Sequence, residues 1–169
     1  MPDQKEIQKQ ILDAKENRWI KQQDYLKEHG STIISFKLNI PHWPKRSEKI
    51  TSAFDVSLRN FLELLAEKKI PFTVLSREET ALGPEAFIYC NEVSNKIKEI
   101  TVNFEEEYTI GRLLDLDVLG QDGKPLERTT KRLCLLCSDI SINCMRTGKH
   151  TSKKVREVFD KIIISSLEI

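Results

Sequence analysis

A chain of 169 residues with 39% hydrophobic and 31% charged side chains can bury one substantial core and is short for two, so residues 1–169 are expected to form a single domain. Its 27 basic and 26 acidic residues leave a net charge of +1, which argues against a general nucleic-acid or anionic-membrane binder and confines any basic site to a local patch. No apolar run reaches the roughly 20 residues of a membrane helix, and the polar start Met-Pro-Asp-Gln-Lys-Glu is unlike a secretory signal, so a cytoplasmic protein with reduced cysteines is expected.

Residues 3–29 read as a long polar N-terminal helix, with Leu12, Trp19 and Leu26 seven apart, Ile11 and Tyr25 beside them, and Gly30 as its stop. On it Arg18 is either solvated or a phosphate ligand. Residues 31–40 alternate and branch like a strand that Pro41 ends. The next loop holds His42-Trp43-Pro44-Lys45-Arg46, a composition that serves a rigid binding loop or an ordinary connection. Over 48–69 Ile50, Phe54, Leu58, Phe61, Leu62 and Leu65 recur at helical intervals. Short strands are expected at 72–75 and 86–90 around a Gly83-Pro84 turn, then a helix over 92–107 carrying Val93, Ile97, Ile100 and Phe104.

Residues 109–120 carry the densest chemistry. Asp115 and Asp117, two apart on a strand, share one face while Leu114, Leu116 and Val118 fill the other. Two converging carboxylates suit Mg²⁺ held together with water and phosphate oxygens, and a surface-exposed strand end is the alternative. Gln121-Asp122-Gly123-Lys124 predicts a hairpin turn, returning antiparallel over 126–136. There Arg128, Lys131 and Arg132 would face or flank the acids, with Glu127 as a third carboxylate. The expected class is α+β, a mixed sheet from 32–39, 112–119 and 126–135 with helices packed against it.

Cys134-x2-Cys137-x6-Cys144-x5-His150 has the residue types of a tetrahedral zinc site. Because Cys134-Leu-Leu-Cys137 lies in an apolar run, buried reduced thiols are favoured over zinc. Arg146 and His150 are four apart, a spacing that suits phosphate binding or simple solvation. Residues 152–167 end the chain in a helix, within a C-terminal segment 151–169, with Val155, Val158, Phe159, Ile162 and Ile163 on one face.

These residues resemble the apo-citrate lyase phosphoribosyl-dephospho-CoA transferases, also called holo-citrate lyase synthases. The likeness runs most of the chain. It is carried by Asn39-Ile40-Pro41 with Lys45, by Gly111-Arg112-Leu113-Leu114-Asp115-Leu116-Asp117-Val118, and by Arg132, Cys134, Cys137, Cys144, Arg146 and His150. The family usually has Gly-Pro after Asn-Ile-Pro, where this chain has His42-Trp43-Pro44.

The resemblance implies a nucleotidyltransferase-like arrangement. The implied reaction moves the 2′-(5″-phosphoribosyl)-3′-dephospho-CoA group from triphosphoribosyl-dephospho-CoA to a serine of the citrate lyase acyl carrier (gamma) subunit, releasing pyrophosphate. Asp115 and Asp117 would hold Mg²⁺ and act catalytically. Lys45, Gly111, Arg112 and Arg146 would bind the substrate, and His150 would serve as base or phosphate ligand. Neither nucleic acid nor membrane is implied as a partner. Two rivals stand beside this reading: a zinc-stabilised module binding RNA or a protein, and a nucleotidyltransferase acting on a small molecule.

Overall fold

The computed structural model describes residues 3–168; residues 1, 2 and 169 of the expected domain lie outside that span. Helix α1 (Gln4–His29) begins where the Asp3 carboxylate accepts from Glu6 N, and ends where Gly30, at φ 61, donates its N–H to Leu26 O. Strand β1 (Thr32–Leu38) is buried along its whole length. After a loop, α2 (Glu48–Glu67) is capped by Ser47 and buries Ile50, Phe54, Leu58, Phe61 and Leu65, the stripe that the spacing predicts.

Strands β2 (Phe72–Thr80) and β3 (Gly83–Cys90) are longer than expected, and Pro84 lies inside β3 rather than in the turn. The turn is moved to Ala81-Leu82 because the Thr80 hydroxyl accepts from Leu82 N and donates to Gly83 O. The charged run Arg77-Glu78-Glu79 is tolerated because β2 is an edge strand, with Arg77 paired to Asp55 and Lys21 to Glu78. Helix α3 (Ser94–Glu107) and a single 3₁₀ turn at Gly111–Leu113 then deliver the chain to β4 (Leu114–Leu119). Helices α4 (Ser141–Thr147) and α5 (Ser152–Leu167) follow.

Among the described residues the strands form one sheet in the order β2-β3-β1-β4. The α+β class holds, and all three pairings are antiparallel, so the mixture expected of the sheet resolves to one sense. One face carries Ile34, Phe36, Leu38, Ile88, Leu116 and Val118 into the main core with α2, α3 and α5. Against the opposite face α1 packs Leu26 and Tyr25 onto Ile33, Phe87 and Leu119.

The return strand expected over 126–135 does not form. The turn is present, with Gly123 N bonded to Gly120 O and Leu126 N to Val118 O, but the pairing stops at a Leu119–Pro125 bridge. Side chains take the remaining edge of β4. Leu116 N donates to Glu105 Oε1 at 2.7 Å, and Arg132 Nη1 donates to Leu114 O at 2.6 Å. Those two side chains occupy edge groups to which a fifth strand would otherwise bond.

Candidate active site

Antiparallel register places Lys37 opposite Asp115 and Ser35 opposite Asp117. The two carboxylates share a face as the spacing predicts, and the Lys37 ammonium lies between them, 2.9 Å from Asp115 Oδ2 and 2.5 Å from Asp117 Oδ2. Burial would raise the Asp115 carboxyl, but Lys37, then Arg132 and Arg18, outweigh it and hold it below its ordinary value. The charged row continues through Arg18, bonded to Glu85 at 2.5 Å, so Arg18 is ion-paired rather than solvated. Sequence reasoning passed over Lys37. Its signal was a lone charge inside Ile33-Ile34-Ser35-Phe36-Lys37-Leu38.

Beside this row lie two clefts that share a wall. One of about 350 Å³ is lined by Asn39, His42, Arg112, Arg132 and His150 among others. The other, of about 750 Å³, takes Glu105, Gly111, Arg112, Arg128 and Arg132. All three segments that carry the family resemblance therefore meet at Arg112 and Arg132. Asp115 and Asp117 line neither cleft, and Arg132 joins them to it, its Nη2 lying 3.6 Å from Asp115 Oδ1.

Glu105 anchors the wall. It is 3% exposed and binds Arg132 at 2.5 Å and Arg128 at 3.0 Å. Burial raises its carboxyl above the ordinary value, against the pull of Arg132, the Leu116 amide and Arg128. The sequence hinted at it only as an acid at the helical interval from Ile97 and Thr101. Arg128 thus serves Glu105 and Glu106 rather than the aspartates, while Lys131 and Glu127 are exposed. Gly111 is required sterically, because a Cβ there would lie 2.2 Å from Glu105 O.

The other expected residues divide. Lys45 donates to Ile40 O at 2.5 Å within its own loop, and burial lowers its ammonium. That loop is also held by Arg156, which donates to Pro44 O at 2.7 Å, and His42 adopts φ 59, a conformation natural to the glycine that the family usually has there. Arg112 donates to Cys134 O at 2.6 Å and is otherwise exposed to the clefts. Arg146 is exposed and has no hydrogen-bond or ion-pair partner among the described residues. His150 does not face the aspartates. Its Nε2 is 3.3 Å from Cys137 Sγ, itself 3.6 Å from Cys144 Sγ.

Guanidinium groups converging on an open cleft beside a carboxylate row form an arrangement whose chemistry suits phosphate oxygens. A family model described as apo-citrate lyase phosphoribosyl-dephospho-CoA transferase matches residues 7–166. A probable apo-citrate lyase phosphoribosyl-dephospho-CoA transferase of Vibrio cholerae is 31% identical over 147 residues, 84% of this chain and 83% of that protein. One of the same description from Streptococcus pyogenes is 32% identical over 163 residues, covering 92% and 84%. A Leuconostoc mesenteroides protein named CitXG is 32% identical over 148 residues, 84% of this chain but 32% of that longer protein. The chain belongs to the apo-citrate lyase phosphoribosyl-dephospho-CoA transferase family and is a transferase.

Proposed function

We propose that this enzyme transfers the phosphoribosyl-dephospho-CoA group from triphosphoribosyl-dephospho-CoA to a serine of the citrate lyase acyl carrier subunit. The observation that carries the reading is the meeting of Arg112 and Arg132 in a cleft beside Asp115 and Asp117. In the transfer the serine oxygen attacks the α-phosphorus in line. The new P–O bond forms as the bond to the bridging oxygen breaks, pyrophosphate leaves with that electron pair, and the serine proton passes to bulk water. Arg112 and Arg132 neutralise the polyphosphate oxygens, and Arg146, exposed at the end of α4 and lining neither cleft, has at most a lesser part in holding the precursor.

The donor chemistry at Asp115 and Asp117 suits Mg²⁺. Both Oδ2 atoms converge on one cationic position, taken here by the Lys37 ammonium, and Asp117 Oδ1 has no ion-pair partner among the described residues. These two residues would hold the ion, which supplies charge neutralisation on the phosphate oxygens. His150 is given no role as the base in this reading, because its Nε2 lies 3.3 Å from Cys137 Sγ. Among the described residues no helix is long and apolar enough to cross a membrane.

The test is incubation of the apo acyl carrier subunit with the triphosphate precursor and Mg²⁺. A gain of one phosphoribosyl-dephospho-CoA mass on the carrier, with one pyrophosphate released, is the expected result. An unchanged carrier mass with folded enzyme, or transfer to a small acceptor instead, would overturn the assignment.

A further inference from the structure

We infer that Cys134, Cys137, Cys144 and His150 form a closed structural zinc site. Their ligand atoms all lie within 4.8 Å of one another, and they come from three separate pieces of chain: an irregular loop, α4, and the turn before α5. A tetrahedral ion with Zn–S about 2.3 Å and Zn–N about 2.0 Å needs ligand atoms roughly 3.5–3.8 Å apart. The Cys137–Cys144 sulfur separation is 3.6 Å, and the Cys137 sulfur lies 3.3 Å from His150 Nε2. Three thiols and an imidazole that merely filled a core would have no reason to point their polar atoms at one centre.

The backbone is shaped for the same purpose. Leu136 N lies 3.4 Å from Cys134 Sγ and donates to it, a contact that favours a thiolate. Cys134 N bonds Asp139 O, and Leu133 bridges Ile140, closing the two-residue spacing into a tight knuckle. Four protein ligands leave no open position, so the ion is structural rather than catalytic. Three thiolates around a divalent ion carry one net negative charge. Lys149, adjoining His150, and Arg112, bonded to Cys134 O, lie beside it.

What the ion would hold is the wall of the clefts. Between Pro125 and Ile140 the chain has no regular helix or strand, yet Arg132 in this stretch must reach Glu105, Leu114 O and Asp115 at once. A metal at Cys134, two residues on, fixes that reach. The apolar run around Cys134 and Cys137, which favours buried thiols from sequence alone, is the lining of the knuckle, with Leu133 exposed and Leu135 packed against the core.

The test is metal content of the untagged, full-length protein purified under reducing conditions, followed by Co²⁺ replacement. The expected results are one zinc per chain, released when the three thiols are titrated with a mercurial, and a thiolate-to-cobalt charge-transfer band on substitution. Cys137→Ser is expected to lower zinc affinity at least a hundredfold. Less than a tenth of an equivalent after zinc reconstitution would overturn the site, as would a Cys–Cys disulfide by mass or a cobalt spectrum without thiolate bands. The wild-type cobalt titration decides the matter even if Cys137→Ser fails to fold, and neither readout depends on the transfer reaction.

Discussion

Arg132 Nη2 lies 3.6 Å from Asp115 Oδ1, and this is the contact through which the carboxylate row on the α1 side of the sheet reaches the clefts on its edge. The same guanidinium bonds Glu105 and Leu114 O, so one side chain both ends the sheet and lines the two clefts. Structure and function are therefore coupled at this residue.

Arg132→Ala is accordingly expected to damage both. It leaves Glu105 with Arg128 as its remaining charged partner and frees Leu114 O, a loss of about 1–3 kcal/mol by the cost of uncompensated charged hydrogen bonds. Urea unfolding measures that loss, and carrier mass gain measures transfer. Arg132→Lys is expected to recover part of the stability and little of the transfer, because an ammonium cannot bond two partners as a fork. Equal recovery of both would mean that charge alone matters.

Glu105 and Asp115 are shifted in opposite directions, which sets two opposed pH limbs. The raised Glu105 holds its proton in the folded state above the ordinary value of 4.5, so stability falls as pH rises from 4.5 through the folded value. The lowered Asp115 contributes stability that is present above its ordinary value of 3.8 and is lost as pH falls through the folded value. Unfolding free energy against pH is expected to lose the first limb in Glu105→Gln and the second in Asp115→Asn. A Glu105→Gln curve parallel to wild type would place the titration elsewhere.

The helices were legible because each carries its own signal: an apolar stripe on α2, and an N-cap with a terminal glycine on α1. The Asp115–Asp117 face was legible for the same local reason, a two-residue period. What could not be read was non-local. Where the return strand would pair, two side chains, Glu105 and Arg132, bond Leu116 N and Leu114 O on the β4 edge instead. Lys37 entered the site through a strand register that no local spacing announces. The convergence of Cys134, Cys137, Cys144 and His150 depends on how α4 folds back over the loop before it.

Arg112 and Arg146 provide a contrast between a lining residue and an exposed one. Arg112 lines both clefts, whereas Arg146 is exposed at the last turn of α4 and lines neither. Arg112→Ala is expected to weaken precursor binding by about 1.5–3 kcal/mol, the range for a charge-assisted hydrogen bond. Arg146→Ala should cost less, with melting temperature unchanged. Calorimetric titration of the precursor into each variant checks the order, and a larger loss at Arg146 would move the polyphosphate toward α4.

Asp117→Asn separates a metal-holding carboxylate from a partner of Lys37 alone. The change removes one charge and almost no volume, and the side chain is 35% exposed, so folding is expected to be unaffected beyond about 1 kcal/mol. Lys37 retains Asp115 at 2.9 Å, so the ammonium is not left alone. Transfer, in contrast, is expected to fall at least a hundredfold at limiting Mg²⁺ and to recover in part as Mg²⁺ is raised, because the ion would keep one of its two protein ligands. Carrier mass gain measured across a Mg²⁺ series gives the comparison. Wild-type activity at limiting Mg²⁺, or transfer that persists in excess chelator, would leave Asp117 as an ion-pair partner of Lys37 and remove the metal from the mechanism.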